Sequence, residues 1–149
     1  MAGYGIPSGW SALIRDPRFV GFVAHFNGDG DYFECHELME ELWLEEARHP
    51  LLQGLLQAAV GLHHWHNGNV AGAVKLMNQA LRKLDGYPET ALGLDLAELR
   101  SRMVESLHVL EEQGKSAPFA PFRLIVADGK LEEDAAARIA ELSRLADQA

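Results

Sequence analysis

The chain has 149 residues, enough for one domain with its own core and too few for two of ordinary size. It carries 13 Lys+Arg against 22 Asp+Glu, net -9, which argues against a dedicated nucleic-acid binder and against binding an anionic membrane surface. Apolar residues make up 48%, which excludes wholesale disorder, and the longest apolar runs are far too short to span a bilayer. Met1-Ala-Gly-Tyr-Gly-Ile-Pro7 lacks a basic start followed by an apolar run, so no secretory signal is expected. The single cysteine, Cys35, cannot form an internal disulfide, and a reducing, cytoplasmic setting is expected.

Helix signals dominate the chain from end to end. Phe19, Phe22, Val23 and Phe26 recur at helical spacing, and Asn27-Gly-Asp-Gly30 ends that segment. Asp31 is a fitting N-cap with Glu34 three positions on, and its helix should stop before Pro50. Pro50 or Leu51 opens the next helix, which runs to about His66. Asn69 caps another from Val70 to about Leu84, closed by Asp85-Gly86-Tyr87-Pro88. A further helix is expected over about 94–113. A linker follows over 114–121, then a short apolar run at 122–126, extended or docking. A last amphipathic helix covers about 130–147.

The segment from Gly30 to Leu42 has an echo 38 residues later, with Leu38-Met39 matched by Leu76-Met77 and Cys35 by Ala73. Residues 17–46 and 51–84 therefore read as two stacked helical hairpins. The second resembles a tetratricopeptide unit through Gly61, His64, Gly68, Ala73, Met77 and Ala80. Two units are too few for an open solenoid. The expected fold is a single all-α domain over 1–149, a small bundle of about five to six helices. The two hairpins are closed by C-terminal helices over 94–149.

Charge is uneven. Residues 31–50 hold seven acids and one Arg, while 51–84 hold no acid and three cations, Lys75, Arg82 and Lys83. The acidic stretch contains the most informative run, from His36 to Trp43. His36 and Glu40 share a helix face, Trp43 continues it, and Glu37 lies one step round. On the next helix Gln57 and His64 share a face. Antiparallel docking across a short connection sets Glu40 opposite Gln57, and His36 opposite Gly61, one turn from His64. Gly54 and Gly61 would let those two backbones approach. The result is a polar cluster of His36, Glu40, Gln57 and His64 walled by Trp43.

Three readings of this cluster stay open. Imidazole and carboxylate at four-residue spacing bind a divalent metal, with His36, Glu40 and His64 as ligands. A small-molecule or catalytic site would use His36 as base and Glu40 to orient it. A buried hydrogen-bond network would need the same residues. His-Glu-x-x-Glu lacks the second His of zinc hydrolases. Glu46/His49 and Glu105/His108 mimic a di-metal bundle, but His49 abuts Pro50. His63 and His66 are expected on the surface or in packing, and Cys35 as an inert buried thiol. Asp29 and Asp31 lack the rest of a calcium loop.

The series Phe26-Asn-x-Gly-x-Gly-x-Tyr32 through His36, Glu40 and Trp43, then Gly54, Gln57, His64 and Gly68-Asn69, resembles the prokaryotic family catalogued as domain of unknown function 309, over about residues 18–85. The resemblance implies an all-α core of about three helices with additions. It marks His36, Glu40 and Trp43 as functional, and sets Gln57, His64 and Asn69 on further recurrent polar positions. It brings no established activity. The function expected is therefore a helical domain whose pocket binds a metal ion or small molecule. The rivals are a non-enzymatic protein-interaction module and a structural homo-oligomer using Trp10, Trp65 or Phe119 outside the core.

Overall fold

Local capping chemistry sets the helix boundaries. Asp16 accepts from the Arg18 amide with Pro17 in the first turn and opens α1 (Pro17–Asn27); Asp31 accepts from the Glu34 amide and opens α2 (Tyr32–Glu45). His49 accepts from the Leu51 amide at α3 (Pro50–His66), and Asn69 from the Gly72 amide at α4 (Val70–Leu84). Asp95 and Asp128 do the same for α5 (Leu96–Gln113) and α6 (Gly129–Asp147). This computed structural model describes residues 6–148; residues 1–5, part of the stretch read for a leader, and residue 149 lie outside them.

The bundle is all-α apart from one tiny hairpin. α1 packs on α2, α2 on α3 and α3 most extensively on α4; α5 then packs on α4 while α6 returns to α1. The echo is structural. Gly30 and Gly68 both turn the chain at positive φ, 67° and 79°, before equivalent caps. Cys35, Met39, Ala73 and Met77 are all fully buried in one continuous core.

Two features depart from expectation, and a third takes one of the forms expected of it. Ser8–Arg15 form a 3-10 helix that lays Trp10 into the core, where its Nε1 donates to Glu46 at 2.6 Å and its ring meets His49 edge-on. α5 starts at Leu96, because 90–95 fold into β1 (Thr90–Ala91) and β2 (Leu94–Asp95). Leu92 and Gly93 turn between the strands with φ of 53° and 69°, the geometry that suits the twist of a two-residue hairpin. The run 122–126 is extended and lies along β2, with an antiparallel bridge from Leu94 to Val126. The Asn27 amide holds it in place, donating to the Leu124 carbonyl at 2.9 Å and accepting from its N–H at 2.7 Å.

Trp10 and Trp65, which the homo-oligomer alternative sets outside the core, belong to it at 5% and 4% exposure. Phe119 is half-buried against Tyr32, Trp65 and His66. Among the described residues no helix is long and apolar enough to cross a membrane.

Candidate functional site

The α2–α3 seam carries the residues marked by the sequence. A cavity of about 240 Å³ is lined by His36, Glu40 and Trp43 of α2, by Gln53, Leu56, Gln57 and Val60 of α3, and by Leu76 of α4. His36 lies between two carboxylates: Nε2 is 3.1 Å from Glu40 Oε2 and Nδ1 is 3.2 Å from Glu37 Oε1. The four-residue step puts Glu40 one turn along the same face, while Glu37 reaches the other edge of the ring. Only the doubly protonated imidazole donates to both. The carboxylates thus hold the ring from opposite sides and do not converge on one point.

Two lining residues bury polar atoms that no protein group satisfies. Trp43 Nε1 is a donor and Gln57 Oε1 an acceptor, and neither has a hydrogen-bond partner among the described residues. Gln57 is only 7% exposed, and its Nε2 donates to Gln79 Oε1 at 3.1 Å. Arg48 lies 5.7 Å from the Trp43 ring centroid, a cation–π distance. Next to this cavity, sharing His36 and Val60, lies a smaller one of about 170 Å³ lined also by Tyr32, Phe33 and His63. Phe33, 57% exposed, stacks between His36 and His63.

His64 is not among the residues lining either cavity. Its Nδ1 accepts from the Asn69 amide at 3.3 Å, while Asn69 Oδ1 caps α4. Burial, and then the neighbouring His63, hold the His64 imidazole below its ordinary pKa. The physical reason is position along α3: His64 shares a face with Gln57 but lies seven residues, about 10 Å of helix rise, further on. A Cβ on Gly61 would meet Met77 Cγ at 2.8 Å, and one on Gly54 would meet Leu84 Cδ2 at 2.8 Å. The glycine stripe therefore faces α4, and α2 did not need it. His64, two turns on from Gln57, meets Asn69 and Gly72 at the start of α4, and His63, one residue round, faces α2.

A second cluster was missed. His25, Asp29 and Asp31, at the α1–α2 turn, bring three potential ligand atoms within 4.8 Å of one another. His25 is 7% exposed, and its Nδ1 sits 3.0 Å from Asp29 Oδ1. An imidazole and two carboxylates form a donor set that a divalent cation accepts. The four-residue spacing of His25 and Asp29 was the available signal; Asp29 and Asp31 were weighed only as a calcium loop, without His25.

A family model described as Domain of unknown function (DUF309) matches residues 19–76, from α1 into α4. An uncharacterised protein of Bacillus subtilis, YpuF, is 34% identical over 121 residues, 77% of this chain and 67% of its own length. The chain belongs to the DUF309 family. An uncharacterised protein of Aquifex aeolicus is 32% identical over 66% of the chain, which spans only 31% of that protein. The DUF309 match contains His25, Asp29 and Asp31 and every α2 and α3 residue of the seam.

Proposed function

We propose that the α2–α3 seam is a binding pocket for a small molecule with an apolar body and a hydrogen-bonding head. The observation that carries this reading is the pair of unsatisfied atoms, Trp43 Nε1 and Gln57 Oε1, in residues lining the same cavity as His36 and Glu40. A sealed structural network would have paired them, since buried polar groups left unpaired cost about 1–3 kcal/mol each. Leu56, Val60 and Leu76 supply the apolar walls typical of ligand sites. Glu40 favours a head that donates hydrogen bonds or carries positive charge. A catalytic version would need His36 to release one of its two carboxylates, since a ring donating to both Glu37 and Glu40 has no lone pair free to act as base; Gln57 would then hold the substrate. The single buried cysteine supports a cytoplasmic setting.

The test is an NMR titration with tyramine, an aromatic amine carrying a hydroxyl, against hydroxyphenylacetate as its acidic counterpart. The expected result is saturable shifts at the Trp43 indole and Gln57 amide with the amine, lost in Glu40→Gln and Trp43→Phe. Shifts confined to other parts of the molecule, or none with either probe, overturn the assignment.

A divalent cation is the second reading, and convergence favours His25, Asp29 and Asp31 for it. Metal analysis of untagged protein separates the sites: an ion at this turn is lost in His25→Gln/Asp29→Asn and kept in His36→Ala/His64→Ala. The reverse pattern would move it to the seam.

A further inference from the structure

The other side of Gln57 opens onto a different surface. Between the start of α3 and the end of α4 lies a groove of about 630 Å³ lined by Pro50, Gln53, Gln57, Gln79, Arg82 and Lys83. On α4, Gln79, Arg82 and Lys83 follow the three- and four-residue steps of one face; on α3, Pro50, Gln53 and Gln57 do the same. Two polar stripes therefore face each other where two core helices pack most closely. Gly54 sets that approach: a Cβ there would lie 3.2 Å from Lys83 Cβ, so the lysine stem packs directly on the α3 backbone.

The charge of this groove runs against that of the chain. The molecule is net -9, and Arg15, Arg18, Arg102, Lys130 and Arg138 are all engaged by carboxylates. Arg82 and Lys83 form no ion pair with any described residue. No acid lines the groove, and the first acid after α4, Asp85, stands outside it. Arg100 donates to the Leu84 carbonyl at 3.3 Å and so brings a third cation to the same end of α4. Two unpaired cations beside three amides, one of them more than nine-tenths buried with a free acceptor, make a polar anion site rather than an apolar docking surface.

We infer that this groove binds a small phosphorylated, hydroxyl-bearing molecule of the sugar-phosphate class. The Arg82 fork matches a phosphate bidentately and Lys83 adds a compact charge. The free Gln57 Oε1 needs a donor, which a phosphate dianion lacks and a hydroxyl supplies. The volume falls within the range of about 300–1,000 Å³ usual for ligand pockets, with room for more than the phosphate group. The groove and the seam pocket share Gln53 and Gln57, and the one free acceptor, Gln57 Oε1, serves one ligand at a time; the unpaired Arg82 and Lys83 belong to the groove alone and carry the phosphate part of the inference without the seam reading.

Calorimetric titration with ribose 5-phosphate tests it, with ribose and inorganic phosphate as separate probes. The whole probe is expected to bind more tightly than either part. Arg82→Gln/Lys83→Gln should weaken it by about tenfold or more, the loss expected when a charge-assisted contact is removed. Circular dichroism verifies that this variant keeps its helices, and His36→Gln/Glu40→Gln should bind as the parent does. Absence of saturable binding to the parent overturns the inference, as does an unchanged affinity in the α4 variant. Equal affinity for phosphate and ribose 5-phosphate refutes the hydroxyl contact and with it the ligand class.

Discussion

Replacing Gln57 by leucine should stabilise the ligand-free protein. The side chain is 7% exposed and its Oε1 has no partner, a buried acceptor whose desolvation costs about 1–3 kcal/mol. Leucine removes that cost at similar volume. It also removes the bond from Nε2 to Gln79, worth about 0.5–1.5 kcal/mol, and half-buried Gln79 borders an open groove where water can replace it. The difference favours the variant by about 1 kcal/mol, which for a chain of this size is a rise of about 2–4 °C in Tm.

Urea unfolding followed by circular dichroism measures this directly. The midpoint should rise with an unchanged m-value, since the surface exposed on unfolding hardly alters. At the same time the variant should lose the tyramine response of the seam. A gain in stability with a loss of binding is the mark of a residue kept for a ligand. Destabilisation by more than about 1 kcal/mol would refute the reasoning, because it would mean that Gln57 holds the helices together through bonds that leucine cannot make.

Two further outcomes follow from the frame around the site. Asn27→Ala strands the N–H and C=O of Leu124, a residue only 3% exposed, and should cost about 2–4 kcal/mol with faster amide exchange over 122–126; a urea midpoint shifted by less than half of that would show the extended run to be held by packing alone. The Arg18 guanidinium, by its side-chain hydrogen bonds, holds the Asp16 carboxyl below the ordinary carboxylate range. The unfolded chain therefore takes up that proton first, so the contribution is complete above about pH 4 and fades as pH falls through the lower native value. Arg18→Met should flatten the acid limb of a stability-versus-pH curve below pH ~4, and an unchanged limb would assign the acid sensitivity elsewhere.

Most of the helical frame was legible because its boundaries are written in short-range chemistry. Asp31, Asn69 and Pro50 mark helix starts whatever the rest of the chain does, and the repeat of Gly, cap, small residue and Leu-Met survives as matching turns and buried positions. The hairpin at 90–95 was not legible. Two-residue strands are too short to show alternation, and Leu92 at positive φ carries no turn signature of its own. The N-terminal 3-10 helix owes its position to Trp10 reaching Glu46, a contact 36 residues away in the chain.

The candidate site was partly legible, and what was missed is position along a helix. Spacing brought His36, Glu40, Trp43 and Gln57 to one seam, and they line one cavity. The same spacing put His64 with them, and it does share their face of α3, but seven residues are about 10 Å of helix rise, which carries it past the cavity to the start of α4. What fixes the rotation of α3 is its small side. Gly54 and Gly61 must face the helix that comes nearest, and Leu84 and Met77 lie where their Cβ atoms would be. α4 therefore takes the glycine face, its first turn meets His64 at Asn69 and Gly72, and His63, about 100° round, faces α2 beside Phe33. Gln57, three residues from Gly54 and four from Gly61, falls on the boundary between the two faces. That is why one amide borders both the seam cavity and the cationic groove, and why its acceptor is buried without a partner in either helix.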